Sequence, residues 1–170
     1  MPDFRIAYFA HTLRSDCSNG NAHFLRGLLR ALRTLGHDVT AYEPEAEWSI
    51  DNLRQEPLGT QSLDQFMEVY ADLDVQTYAP DEVNSTEVRS NGLWRQRLRG
   101  VKVVVLHEWN PPALASLLLT LRDELGFKLL FHDTHHRAPS SPESFAKLGL
   151  EGFDGILAFG EALRRIYLEG

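Results

Sequence analysis

Four ionisable side chains follow an apolar run at residues 127–131, and these are His132, Asp133, His135 and His136. The run has the length and composition of a strand that is buried on both faces. In open α/β sheets, ligands bind outside the carboxyl ends of the strands, so this pattern predicts a functional site directly after the strand. An imidazole there can accept a proton, donate a hydrogen bond or bind a metal. The alternative is that these side chains cap a helix or line a solvated loop, which explains one such residue more easily than four.

The same cluster contains metal-ligand types, and His107 with Glu108 follows another apolar run. The zinc motifs H-E-x-x-H and H-x-x-E-H are absent. The segment Asp133-Thr134-His135 is similar to the D-x-H that opens binuclear metallophosphoesterases, but in that family it follows the first strand and further metal-binding segments come after it. We therefore expect no catalytic metal, and a metal-dependent hydrolase that uses the histidine cluster is kept as an alternative.

The loop at residues 11–21 follows the first apolar run and contains a single glycine, Gly20. A G-x-G-x-x-G fingerprint is therefore excluded there, and G-x-x-x-x-G-K-[ST] occurs nowhere in the chain. Near the amino end of a helix, Gly20 could still present backbone N–H groups to a phosphate oxygen, although a lone glycine is more often a turn. Cys17 lies in the same loop, and because no sequence cue pairs it with a base, we expect an ordinary thiol.

Strands and helices alternate along the chain. Strands are predicted at residues 5–10, 37–44, 75–79, 101–106, 127–131 and 153–159. Because each crossover between parallel strands needs a helix, this alternation predicts one α/β domain: a Rossmann-like, doubly wound, mostly parallel sheet of about six strands with helices on both faces.

The helices that must hold the predicted site in place are indicated by apolar spacing and capping residues. The first has an apolar stripe that extends to Leu35 and is stopped by Gly36. A second is predicted at residues 62–73, with Ser62 as its N-cap and Val69 on its buried side. Further helices are predicted at residues 93–99, 141–148 and from 161 onward, and one begins at Asn110 as N-cap. Residues 45–59 are acidic and irregular and are predicted to form a long loop.

The composition limits the class of protein. With 170 residues, 43% hydrophobic, the chain is long enough for one well-packed domain. The net charge of −7 argues against a general nucleic-acid binder, and three arginines of the first helix (Arg26, Arg30 and Arg33), which could meet a phosphate, are expected to form a solvated face. One cysteine permits no internal disulfide, and no apolar run approaches the ~20 residues that span a bilayer. We expect a cytoplasmic protein with at most peripheral membrane contact.

The strand ends, taken in order, resemble a known family. The segments that carry the resemblance are R-I-A-Y-F-A-H, S-N-G-N-A, L-G-H-D-V-T-A-Y-E-P, V-V-V-L-H-E-W-N, F-H-D-T-H-H-R and F-D-G-I-L-A-F-G-E-A-L-R-R-I-Y. In this order they resemble the amino-terminal half of a GT-B glycosyltransferase of the family-4-like kind, which includes the relatives of the spore maturation protein CgeB. Such enzymes have two Rossmann-like domains with the active site in the cleft between them.

The resemblance implies that residues 1–170 form the N-terminal, acceptor-binding domain of a metal-independent enzyme that transfers a sugar from a nucleotide-sugar donor to an acceptor. The C-terminal donor-binding domain, with its E-x7-E pattern, is absent from the sequence. The implied partners are the nucleotide sugar, the acceptor, and a C-terminal GT-B domain or a separate donor-binding subunit. No further cofactor is implied, and the isolated chain is expected to be inactive. The alternative is a stand-alone, flavodoxin-like α/β binding or regulatory domain.

The resemblance also implies roles for individual residues. A histidine at the end of the fifth strand faces the reacting sugar, and by position this is His132, with His135 as the second choice. In an inverting enzyme that imidazole could be the base, whereas in a retaining enzyme it would only position the substrate. Acceptor or donor binding is assigned to five residues, namely Gly20, Asn21, His107, Glu108 and Asp133.

Overall fold

The computed structural model describes residues 3–15, 20–83, 88–134 and 145–169. Its centre is a six-stranded sheet in which all paired strands are parallel. The strands are β1 (Arg5–Phe9), β2 (Asp38–Pro44), β3 (Asp74–Tyr78), β4 (Val103–His107), β5 (Lys128–Asp133) and β6 (Gly155–Ala158). They lie in the order β3-β2-β1-β4-β5-β6, which is that of the Rossmann-like doubly wound sheet. The predicted fold class is confirmed.

Six helices lie wholly within the described ranges. They are α1 (Gly20–Thr34), α2 (Trp48–Gln55), α3 (Gly59–Val69), α4 (Val88–Arg97), α5 (Pro112–Leu125) and α6 (Glu161–Glu169), with short 3₁₀ turns at Pro80–Glu82 and Leu150–Gly152. Gly126 ends α5 in the left-handed conformation, with φ of 73°, which a side chain would disfavour. None of these helices combines the length and apolar character needed to cross a membrane.

Two apolar clusters hold the helices on opposite faces of the sheet. Side chains alternate along a strand, so neighbouring residues of β1 serve different clusters: Phe9 packs with Trp94 and Leu106, whereas Tyr8 packs with Leu25 and Val105. Each large side chain buried in this way contributes about 1.5–3 kcal/mol relative to remaining exposed. The strand ends are thereby held by well-packed layers on both sides.

The sheet reverses its winding between β1 and β4. From β1 the chain proceeds outward through β2 and β3, then crosses back to β4 and continues through β5 and β6. At such a switch point the flanking loops diverge and leave a crevice outside the carboxyl ends of the strands. In the register of β4 with β5, His107 lies opposite His132, so the two predicted polar segments meet at this edge.

Several element predictions were wrong. Residues 45–59 were predicted to be a loop, but they contain α2, because Ile50 and Leu53 are spaced to bury one helical face. Trp48, the conspicuous apolar residue of that segment, is 69% exposed. The predicted N-cap Ser62 lies inside α3, which begins at Gly59, and its hydroxyl donates to the carbonyl of Leu58.

Asn110 is not an N-cap either, because Pro111 occupies that position and the side chain of Asn110 bonds to strand carbonyls. Two predicted core residues are largely exposed, since Leu35 lies beyond the end of α1 at 56% exposure and Val69 at the end of α3 at 52%. The predicted helix at residues 141–148 falls mostly outside the described residues, as does Cys17.

Candidate functional site

The candidate site is formed by the carboxyl ends of β1, β4 and β5 together with the start of α1. The His107 and His132 rings meet edge to face, with centroids 5.8 Å apart. On the α1 side, the ring of Phe24 lies 6.0 Å from that of His132. Because β4 and β5 are adjacent parallel strands in register, their terminal histidines are held side by side by the sheet itself.

His132 is 5% exposed, and its Nδ1 is hydrogen-bonded to the hydroxyl of Tyr8. Among the described residues, the Tyr8 hydroxyl makes this one hydrogen bond. A buried phenol needs an acceptor for its hydrogen, and Nδ1 is the acceptor within reach. Tyr8 therefore donates, Nδ1 carries no proton, and the neutral imidazole carries its proton on Nε2.

The charge state of His132 is set mainly by burial. Desolvation lowers its pKa from 6.5 to about 4, and the Glu108 carboxylate opposes this only in part. Burial, together with Glu108, also raises the pKa of Tyr8 well above its usual value. At neutral pH the pair is thus an uncharged phenol that donates to an uncharged imidazole. Such a ring is a weak base and a good hydrogen-bond donor through Nε2.

His107 is fully buried, and two polar side chains lie within hydrogen-bonding distance of its Nε2. The amide nitrogen of Asn21 on α1 lies 3.0 Å from its Nε2, and the hydroxyl of Thr134 lies 3.1 Å from the same atom. Glu108 Oε1 accepts from the backbone N–H of Thr134 at 2.8 Å and from its hydroxyl at 2.9 Å. The buried polar groups thus form one connected network, which fixes the geometry of this edge.

Asp133 is tied to the last helix. It is fully buried, and its Oδ2 accepts a 2.6 Å hydrogen bond from the hydroxyl of Tyr167 on α6. Burial and this carboxylate raise the pKa of the Tyr167 hydroxyl far above its usual value, so the phenol stays protonated. The contact gives Asp133 a role in docking α6 against β5.

The structure brings together four of the predicted site residues: Asn21, His107, Glu108 and His132. Gly20, the first residue of α1, is exposed, and a Cβ added to it would meet nothing within 4 Å. Its predicted phosphate contact stays a prediction. His135, the second choice for the catalytic histidine, and His136 lie outside the described residues.

Sequence reasoning missed Tyr8, Thr134 and Tyr167. Tyr8 stands in the middle of an apolar strand, where a buried hydroxyl must find a partner, and that requirement was an available signal. Thr134 and Tyr167 carry no comparable signal, because their partners are set by the tertiary packing of β4 and α6.

A cavity of about 350 Å³ adjoins this edge. It is lined by Glu108, Trp109, Asn110, Pro111, Pro112, Phe145, Lys147 and Leu148. Within the described ranges, no group of three or more His, Cys, Asp or Glu side chains is arranged to hold a metal ion. The cavity lining combines apolar side chains with the carboxylate of Glu108, the amide of Asn110 and the amine of Lys147.

Comparisons with known proteins give no assignment. No protein-family model matches the chain, and no curated protein is significantly similar to it.

Proposed function

We propose that this chain is the acceptor-binding, N-terminal domain of a glycosyltransferase that transfers a sugar from a nucleotide-sugar donor. The observation that carries the proposal is the neutral, donor-presenting state of His132, whose Nδ1 is occupied by Tyr8 at the carboxyl edge of the sheet. A neutral N–H donor suits a sugar hydroxyl, which accepts a hydrogen bond and carries no charge. A metal ion would instead need a lone pair on Nε2, which carries the proton in this tautomer.

The fold supports the same proposal. The strand order β3-β2-β1-β4-β5-β6 places the crevice of the switch point between β1 and β4, next to His107 and His132. The segments that resemble the family, from the first strand to the last helix, coincide with the ends of these strands. The flavodoxin-like alternative has less support, because its strand order is 2-1-3-4-5.

In this proposal His132 positions the reacting sugar and does not remove the acceptor proton. During transfer, an acceptor oxygen forms a bond to the anomeric carbon while the bond to the diphosphate breaks, and the acceptor proton passes to a base or to the departing diphosphate. An imidazole with a pKa near 4 is poorly matched to act as that base at neutral pH. Its Nε2–H is instead suited to hold a hydroxyl of the sugar in the reactive orientation.

The experiment is a titration of the isotopically labelled 170-residue chain with neutral hexoses, followed by NMR. We expect shifts of signals from His132, Asn21 and Thr134. The matched control is His37→Ala, because His37 lies at the opposite, amino end of the sheet, where its Nδ1 accepts from the backbone of Phe4. Binding should persist in His37→Ala and be lost in His132→Ala.

A second arm tests the domain assignment. The chain alone, supplied with a nucleotide sugar and acceptor, should show no transfer, and transfer should appear only with a donor-binding half present. Turnover by the chain alone would contradict its assignment as half of an enzyme. Hexose shifts confined to residues remote from the strand ends would contradict the site.

A further inference from the structure

A second cavity, of about 280 Å³, lies between α1 and the α2–α3 pair. Its lining consists of Arg14, His23, Arg26, Leu53, Ser62, Gln65, Phe66, Val69 and Tyr70. The volume is at the lower end of the range for small-molecule sites. The residues of the hydrogen-bonded network at the strand ends do not line it; these are Asn21, His107, Glu108 and Thr134.

Helix α1 separates this cavity from the strand-end site. Asn21 and Phe24 contact the histidines at the strand ends, whereas His23 and Arg26 line the cavity. With about 100° of rotation per residue, these two pairs project from roughly opposite sides of the helix. A ligand in the cavity therefore does not occupy the proposed transfer site.

The polar lining is cationic in a protein of net charge −7. Among the residues that the structure describes, the lining includes two arginines and a histidine and no carboxylate. Arg14 is fixed along one edge, since its Nε donates to Glu43 Oε2 at 2.6 Å and its Nη2 to the carbonyl of Pro44 at 3.2 Å. In the part of the chain that the structure describes, its Nη1 has no hydrogen-bond partner. A planar guanidinium held in this way is preorganised to donate to an anion.

Arg26 is also held in place, and this corrects the expectation that it belongs to a solvated face. It is 3% exposed, and its Nε donates to the carbonyl of Leu13 at 2.6 Å. The guanidinium carbon lies 5.0 Å from the ring of Phe66 and 4.8 Å from that of Tyr70. The charge is thus kept at the base of an aromatic wall by cation–π contacts.

The rest of the wall is apolar and ordered. The rings of Phe66 and Tyr70 stack with centroids 5.0 Å apart and an interplanar angle of 24°. Leu53 and Val69 extend the same surface. A ligand that fits both parts of this cavity combines an anionic group with a small apolar body.

We propose that the cavity is a binding site for a small organic anion, in which a carboxylate or phosphate group contacts Arg14 and an aromatic or aliphatic body packs against Phe66 and Tyr70. The site is separate from the proposed transfer site. Its occupant is therefore a second ligand of the domain, and binding does not depend on glycosyl transfer.

The test measures binding of four probes to the 170-residue chain by NMR titration and calorimetry. Benzoate and phenyl phosphate carry the two candidate anionic groups on one apolar body, inorganic phosphate lacks the apolar body, and benzylamine replaces the anion by a cation. We expect saturable binding of benzoate or phenyl phosphate, with shifts at Arg14 and Gln65, and weaker binding of inorganic phosphate. The ratio of the first two affinities distinguishes a carboxylate from a phosphate ligand. Binding of benzylamine as tight as that of the anions, or no saturable anion binding, would overturn the proposal.

A matched pair of variants tests the location. Gln65 and Gln61 are both exposed on α3, one turn apart, but only Gln65 lines the cavity. Gln65→Glu should weaken binding of the tighter anionic probe about tenfold by charge repulsion at short range, whereas Gln61→Glu should change it less than about twofold. Equal effects of the two substitutions would show that the probe responds to overall charge and not to this cavity, and the proposed site would then be rejected.

Discussion

The hydroxyl of Tyr8 on β1 donates a hydrogen bond to Nδ1 of His132 on β5, across the intervening strand β4. The bond assigns the imidazole proton to Nε2. It also stabilises the neutral ring, because a protonated Nδ1 can no longer accept.

Burial, the main cause of the low pKa of His132, remains in Tyr8→Phe, so the pKa should rise only modestly above about 4, through loss of the bond that favours the neutral ring. The variant should also lose about 1–3 kcal/mol of unfolding free energy, because Nδ1 is left buried without its donor. NMR titration of the imidazole signals and urea unfolding measure the two effects. Tyr42→Phe is the control, since Tyr42 is buried in the cluster on the opposite face. An unchanged pKa in Tyr8→Phe would contradict the assigned proton positions.

Stability should fall between pH 6.5 and pH 4 because of His132. In this range the imidazole of the unfolded chain binds a proton and that of the folded chain does not, so acid favours unfolding. Above pH 6.5 both forms are neutral, and the folded state keeps its full stability. A pKa lowered from 6.5 to about 4 corresponds to a loss of about 3 kcal/mol at the acid end of the range. Urea unfolding of wild type and of His132→Asn at several pH values gives the slope of unfolding free energy against pH for each protein. The difference between the two slopes measures the contribution of His132.

That difference is needed because Glu43 and Glu47 also have pKa values raised by burial, and they contribute in both proteins. Parallel profiles for wild type and His132→Asn would show that the imidazole is not the acid-sensitive group.

His132→Ala in the complete enzyme, with a donor-binding half present, should lower turnover by about 10²–10⁴-fold, the range for a lost orienting or acid–base contact. Because the ring is buried and hydrogen-bonded, the variant should also lose about 2–4 kcal/mol of unfolding free energy. Turnover must therefore be measured below the unfolding transition of the variant. Normal turnover by a folded variant would remove His132 from the mechanism.

Two glycines should respond oppositely to alanine. A Cβ at Gly59 would lie 1.6 Å from the backbone oxygen of Leu53, so Gly59→Ala must displace α2 from α3 and should cost more than about 2 kcal/mol. A Cβ at Gly27 would meet nothing within 4 Å in the middle of α1, so Gly27→Ala should stabilise by about 0.5–1 kcal/mol. Thermal unfolding of the two variants checks both signs, and destabilisation by Gly27→Ala would contradict the open space seen beside α1.

Much of the fold could be predicted from the sequence because buried parallel strands are visible as short apolar runs. Their alternation with helices predicts both the class and the edge where His107 and His132 meet. Helix α2 was missed because only two of its apolar residues, Ile50 and Leu53, are buried, whereas Trp48 is exposed. The burial of Arg26 could not be predicted, since it depends on the aromatic rings of α3 packing against α1.

Asn110 has a mechanical consequence for the crevice. Its amide nitrogen donates to the carbonyl of Phe9 at 3.0 Å and to that of His107 at 2.9 Å, and its oxygen accepts from the hydroxyl of Tyr78 at 3.3 Å. One side chain therefore cross-braces the ends of β1, β4 and β3. Separating these strand ends to admit a ligand would break the hydrogen bonds of Asn110, so their spacing at the crevice resists expansion.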